Sequence, residues 1–172
     1  DPAYTAPITI TETTIVRAAS FPADALPGKP ATWSYFLREN STLPIVSLVT
    51  DPDNLTGAQG IYSNDERAWS EKWEREATVA MYEDDGEFSI DCGIRMHGRT
   101  SRRVSEKKSF TLKFRGRYGG DLNYDVFGDG VVTDFSSLLL RASVEDTYTS
   151  YMRDEFFARI AMDYTDVPAQ NY

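Results

Sequence analysis

The sequence predicts an α+β fold: a twisted, mainly antiparallel sheet with one C-terminal helix packed on a face. Apolar residues alternate with polar residues in several short segments, which is the period of half-buried strands. A single long segment near the end has helical periodicity instead. The chain has 172 residues, of which 41% are hydrophobic and 13% aromatic, enough for the core of one main domain.

Five strands of this sheet can be located from the alternation and from the turn residues that bound them. The clearest one, from Phe88 to Met96, follows an Asp-Gly hairpin turn and places its apolar residues on one side. Cys92, the single cysteine, is in phase with that side, so it is predicted to be a small core residue with no redox role. The expected strands lie near residues 45–50, 77–83, 88–97, 107–115 and 135–142.

The predicted helix runs from Thr149 to Asp163. Thr149 or Ser150 is the expected cap, and Pro168 lies beyond the end. Its apolar face, which is expected to contact the sheet, consists of Met152, Phe156, Phe157 and Ile160.

Residues 1–38 differ from the rest because Thr-rich β segments alternate there with the Pro- and Gly-rich linker FPADALPGKP. The series YTAPITITETTIVRAASF resembles the last strands of a small immunoglobulin-like module. We therefore predict that residues 1–38 are a remnant of, or a lead-in from, a β-sandwich module, and that residues 39–172 form the main domain. The alternative is an N-terminal hairpin of that same domain.

Positive charge is concentrated between Gly93 and Arg117. This stretch contains half of the 18 Lys and Arg residues, the only His and a single acid, Glu106. The rest of the chain is strongly acidic and the pI is about 4.6, which argues against binding a long nucleic acid. The stretch is therefore the best candidate for a local anion site. Its basic residues are Arg95, Arg99, Arg102, Arg103, Lys107, Lys108, Lys113, Arg115 and Arg117.

The same stretch predicts two antiparallel strands joined by a flexible basic loop, GRTSRRVSEK. Lys108 falls in phase with Phe110, Leu112 and Phe114, so its ammonium group points toward the apolar side. A buried ammonium needs a partner, because leaving it unpaired costs about 2 kcal/mol or more. The alternative is that Lys108 extends to solvent at the strand end.

At this point the sequence resembles a known family. The order LPIVSLVTD, GIY, GIRMHGRTSRR, EKKSFTLKFRGRYG, LLLRAS and YMRDEF, from about Leu43 to the end, resembles the N-terminal half of the CotH kinase-like family, named after a spore-coat protein. The resemblance implies a kinase-like N-lobe. It also implies a secreted or bacterial surface protein that uses ATP and a divalent metal, Mg or Mn, to phosphorylate protein hydroxyls.

This resemblance suggests roles for particular residues. In protein kinases a strand lysine contacts the α and β phosphates and is held by a helix glutamate, which here would be Lys108 and Glu155. Lys107 is the rival for the lysine role. The residues expected to surround the phosphates are Arg95, His97, Gly98, Ser101 and Arg102.

The acidic metal ligands of the family lie in its C-terminal half, which the sequence does not reach before Tyr172. No metal ligand is therefore predicted here, and this chain alone is expected to be inactive and to carry no bound cofactor. The expected partners are a nucleotide and an unidentified protein substrate, and the protein is expected to be a monomer. The sequence contains no run of 18 apolar residues, so no membrane span is predicted.

A second class of function remains open from the residues. In it, the protein is a non-catalytic binding or structural module whose basic hairpin holds an acidic partner or a glycan, or balances neighbouring carboxylates. A Ser-His-Asp or Cys-His nucleophile is not supported, because the chain has one His and one core-phase Cys.

Overall fold

The computed structural model describes residues 3–37, 41–64, 66–84, 86–146 and 149–166 and has an α+β fold, as predicted. The strands are β1 (Thr14–Ala18), β2 (Ala31–Tyr35), β3 (Ile45–Val49), β4 (Arg75–Glu83), β5 (Gly86–His97), β6 (Ser109–Lys113), β7 (Leu122–Asn123), β8 (Asp134–Phe135) and β9 (Ser137–Leu140). The helices are α1 (Pro52–Leu55), α2 (Ser101–Val104) and α3 (Arg153–Tyr164), with 3₁₀ turns at Glu71–Trp73 and Val144–Asp146.

The main sheet has the strand order β3-β4-β5-β6-β9, and its described registers are antiparallel. All five strands expected from the sequence are present, with ends shifted by a few residues. The predicted pairing of residues 88–97 with 107–115 is confirmed, since β5 and β6 are neighbours in this sheet. Two smaller sheets pair β1 with β2 and β7 with β8.

The chain divides into two compact units, the first made of residues 1–49 and 78–89. In this unit β1 and β2 form an antiparallel hairpin with Thr14 opposite Tyr35. The hydroxyls of Ser34 and Ser47 share a buried hydrogen bond of 2.7 Å. The predicted domain boundary at residue 38 and the resemblance to an immunoglobulin-like module stay predictions.

The second unit, residues 50–77 and 90–172, contains the whole basic stretch and has its own apolar core. Cys92, Ile94, Met96 and Leu112 are all at most 1% exposed, as the alternation of β5 and β6 predicts. Burial raises the pKa of the Cys92 thiol to about 12. The thiol therefore stays protonated and unreactive, which confirms its interpretation as a core residue.

Helix α3 begins later than predicted, at Arg153. Thr149 and Ser150 are not its caps; their hydroxyls donate hydrogen bonds to the carboxylate of Asp146. That carboxylate also accepts from the Arg153 backbone N–H at 3.0 Å, so the first turn is held by an acid seven residues upstream. The chain reaches this arrangement through a left-handed residue, Tyr151, with φ of 61°.

The apolar face of α3 is not covered within the described part of the chain. No residue of the helix is buried, and Phe156 and Phe157 are each 59% exposed. The first turn is tied down by charge, because Asp154 forms an ion pair with Arg141 just after β9. The predicted helix is therefore present, but the described residues do not show the expected burial of its apolar side.

Candidate anion-binding site

The hairpin of β5 and β6 carries most of the residues that the sequence analysis assigned to the site. Its register places Gly93 opposite Lys113 and His97 opposite Ser109. Lys108 lies just before β6 and is half-buried, whereas Lys107 is exposed. Lys108 is therefore more buried than Lys107, as the strand phase predicted, although both lysines precede the strand.

The connection between the two strands is more ordered than predicted, because residues 101–104 form the single turn α2. Arg102 is only 7% exposed, and its guanidinium donates to the backbone carbonyls of Gly98 and, at 3.2 Å, Glu66. The Lys108 ammonium donates to the carbonyl of Arg102. In the structure Arg102 holds the connection together through these carbonyls, and its expected phosphate-binding role stays a prediction.

Gly98 begins this connection with φ of 92°, a left-handed conformation that residues with a Cβ rarely adopt. A Cβ added there would also collide with the Ser101 hydroxyl. The turn from Gly98 to Ser101 therefore has a fixed shape that depends on glycine. The structure places Gly98, Ser101, Arg102 and Lys108 close together.

His97 stands at the end of β5 and contacts the Thr111 hydroxyl at 3.1 Å through Nδ1. Burial and then the positive charge of Arg141 lower the pKa of His97 below its usual value of 6.5. The imidazole is therefore mainly neutral at pH 7 and adds no positive charge to the site.

Arg95 contacts a carboxylate and a backbone carbonyl of the protein itself. Its Nε lies 3.4 Å from the carboxylate of Glu74, and its Nη1 is 3.5 Å from the Trp69 carbonyl. The side chain is 16% exposed, so Arg95 mainly serves this internal contact.

Glu74 is the centre of a cluster that the sequence analysis missed. Its side chain is fully buried just before β4. Arg115 donates to both carboxylate oxygens, at 3.1 Å from Nε and 3.2 Å from Nη2. The Tyr118 hydroxyl donates at 3.1 Å, and an Arg117 guanidinium nitrogen donates to the same oxygen. We call Glu74, Arg95, Arg115, Arg117 and Tyr118 the Glu74 cluster.

The arginines keep Glu74 ionised. Burial alone raises the pKa of a carboxyl, but the hydrogen bonds from Arg117 and Arg115 outweigh it, so the pKa of Glu74 falls below its ordinary value of 4.5. Three guanidinium groups thus face one buried carboxylate. A further acid, Glu71, is 64% exposed and lies 3.5 Å from Arg115. Among these contacts of the described residues, three guanidinium groups therefore meet two carboxylates.

One signal in the sequence pointed to this cluster. Gly93 lies on the polar side of β5, and a side chain there would meet the Glu74 carboxylate at 2.5 Å. A glycine inside a strand commonly marks the close approach of another group. Glu74 itself could not be identified, because its hydrogen-bonding partners lie 41 to 44 residues further along the chain.

Glu155, the expected partner of Lys108, is half-buried in the first turn of α3. Among the residues that the structure describes, no hydrogen bond or ion pair joins Glu155 to Lys108. The catalytic assignment of the two residues stays a prediction. The phosphate-binding roles also stay predictions; they were assigned to Arg95, His97, Gly98, Ser101 and Arg102.

The fold is an α+β arrangement of mainly antiparallel strands, and it carries a hairpin rich in basic residues. Residues 94–172 match the family model described as CotH kinase protein, which confirms the resemblance over this range. The matched range starts within β5 and includes α2, β6 and α3. Neither a curated protein nor a solved structure matches the chain. Within the described ranges, no helix is both long enough and apolar enough to cross a membrane.

Proposed function

We propose that this chain contributes the nucleotide-binding part of a CotH-like protein kinase, which transfers phosphate from ATP to protein hydroxyls with Mg or Mn. The observation that carries the proposal is the family match over residues 94–172, which includes the Gly98–Ser101 turn and Lys108. In kinases such a domain binds the phosphates of ATP, orients them and offsets their charge.

The arrangement around Lys108 supports a phosphate-facing role. The half-buried ammonium is held beside the turn by the Arg102 carbonyl, and a neighbouring anion would experience its charge with less screening than at an exposed lysine. Gly98 fixes the turn, and the Ser101 hydroxyl lies next to it. Arg102 would act by positioning this turn, since its guanidinium is bonded to backbone carbonyls.

The bound nucleotide and metal would supply the transferable phosphoryl group and neutralise charge on it. The residues that would hold the phosphates are Lys108, Gly98 and Ser101. Glu155 would complete the site if α3 changed position, which is a known type of switch in kinases. By the same family resemblance, we propose that the protein is exported to the bacterial cell surface.

The test is phosphate transfer from labelled ATP, with Mg or Mn, by the full-length protein that carries this chain. Lys108→Met should reduce both transfer and ATP binding by at least tenfold, whereas the matched control Lys107→Met should change them less than twofold. Circular dichroism should show that both variants keep the fold. Equal losses in the two variants, or no transfer at all by the unaltered protein, would contradict the proposal.

The alternative is a non-catalytic binding module, and one observation favours it. Three of the basic residues, Arg95, Arg115 and Arg117, already contact the internal carboxylate of Glu74, so part of the positive charge balances the protein's own acid. If ATP does not bind while an acidic polypeptide does, the binding module replaces the kinase.

A further inference from the structure

The Glu74 cluster leaves part of its positive charge directed outward. Glu74 is fully buried, but the side chains of Arg115 and Arg117 are 35% and 51% exposed. Each arginine has five N–H donors, and the contacts with Glu74 and Glu71 use only some of them. The inner carboxylate therefore holds two guanidinium groups in place while their outer edges face solvent.

These two arginines belong to a turn in which one backbone carbonyl accepts hydrogen bonds from three N–H groups. The Arg115 carbonyl accepts from the N–H groups of Tyr118, Gly119 and Gly120, at 2.8, 3.2 and 3.1 Å. Within the described part of the chain, the N–H groups of Gly116 and Arg117 have no hydrogen-bond acceptor. Both residues are exposed, and they belong to the same segment as the two guanidinium groups.

Among the residues that the structure describes, nothing requires position 116 to be glycine. Its φ is not in the left-handed region, and a Cβ added there would meet nothing within 4 Å. Gly93, by contrast, is required by the nearby Glu74 carboxylate. A glycine that is needed neither for conformation nor for packing leaves room for a ligand to approach the backbone closely.

We propose that Arg115, Gly116 and Arg117 form an anion site for a phosphate group, carried by a nucleotide or by a phosphorylated side chain. Planar guanidinium groups bind the oxygens of phosphate in pairs, and free backbone N–H groups complete such sites. Arg117 is further oriented by its position over the Tyr118 ring, 4.9 Å from the centroid. The site does not include Lys108 and does not depend on kinase activity.

The experiment is an NMR titration of the full chain with inorganic phosphate, against sodium chloride at equal ionic strength. The amide signals of Gly116 and Arg117 should shift saturably with phosphate and not with chloride. Arg117→Gln should weaken binding at least tenfold. Arg103→Gln removes the same charge from an exposed arginine of α2 and should weaken it less than twofold. Absence of a saturable shift, or equal weakening in both variants, would overturn the proposal.

Two further variants separate this site from the fold and from the proposed kinase site. Gly116→Ala should keep the urea midpoint, because its Cβ enters open space, yet weaken phosphate binding severalfold. Lys108→Met should leave phosphate binding at Gly116 and Arg117 unchanged. If Lys108→Met instead lost this binding while Arg117→Gln kept it, the site proposed here would be refuted and the proposed kinase site would not. Tighter binding of ADP than of phosphoserine would identify a nucleotide ligand and the reverse a phosphorylated side chain; either result supports the site.

Discussion

Two buried carboxylates organise different parts of the second unit, and they do so with different partners. Glu74 has arginine and tyrosine donors that lie 41 to 44 residues further along the chain. Asp146 is 6% exposed and takes its donors from within seven residues: the hydroxyls of Thr149 and Ser150 and the backbone and guanidinium of Arg153. The first carboxylate connects distant strands, while the second fixes one local turn.

The difference determines what each carboxylate stabilises. Glu74 links residues that are far apart in the sequence. Its loss therefore leaves several buried or half-buried guanidinium groups without their anion. Asp146 replaces a helix cap, so losing it exposes unsatisfied donors only at the beginning of α3. Mutations at the two positions should therefore differ in both size and range.

The largest effect is expected from Glu74→Gln. Removing one member of a buried charge cluster should lower the free energy of unfolding by about 3 kcal/mol, because the remaining arginines lose their counter-charge. Urea unfolding measures this. Glu71→Gln is the matched control: its side chain is 64% exposed, and it should change the free energy by less than about 0.5 kcal/mol. Similar losses in both variants would show that the buried position of Glu74 does not matter.

A smaller and local effect is expected from Asp146→Asn. The amide keeps one acceptor oxygen but loses the charge that holds Arg153, so the first turn of α3 should fray. Hydrogen exchange should speed up at the amides of residues 153–157 and stay unchanged in β5. Asp163→Asn, at an exposed position of the same helix, should leave exchange at the start of α3 as it is. Faster exchange throughout the second unit would contradict a local role.

The smallest effect is a difference in pH dependence. The pKa of Glu74 and the pKa of Asp146 are both lowered in the folded protein, from 4.5 and 3.8. Their contributions are therefore complete above those ordinary values and disappear as pH falls through the lowered pKa. The difference in free energy of unfolding between wild type and Glu74→Gln should be constant from pH 6 to 8 and should shrink at acid pH. This decrease should begin at a higher pH than the corresponding decrease for Asp146→Asn. A difference that grows on acidification would show that the sign is wrong.

The strand hairpin illustrates how far the sequence could predict the site. The alternation in β5 and β6 correctly separated half-buried Lys108 from exposed Lys107, because strand phase depends only on neighbouring residues. The burial and hydrogen-bond partners of the arginines in the basic loop could not be predicted in the same way. Arg102 is buried because Gly98 and Glu66 present carbonyls to it, and Glu66 is 36 residues away.

The cap of α3 was missed for a related reason. Thr149 and Ser150 are the polar residues nearest to the predicted first turn, whereas the acceptor for the Arg153 N–H is Asp146. The left-handed conformation of Tyr151 folds the segment back toward that acid, and a bulky aromatic residue gives no local sign of such a conformation.

The sequence by itself determined the α+β class, the strands of the main sheet, the core position of Cys92 and the resemblance to the CotH family. Each of these depends on local periodicity or on the order of short motifs. Only the tertiary structure decided which basic residues face outward, because that depends on whether a carboxylate or carbonyl from another segment meets them first. Arg95, Arg102 and Arg115 look alike in the sequence, yet Arg95 and Arg115 contact Glu74 while Arg102 donates to two backbone carbonyls.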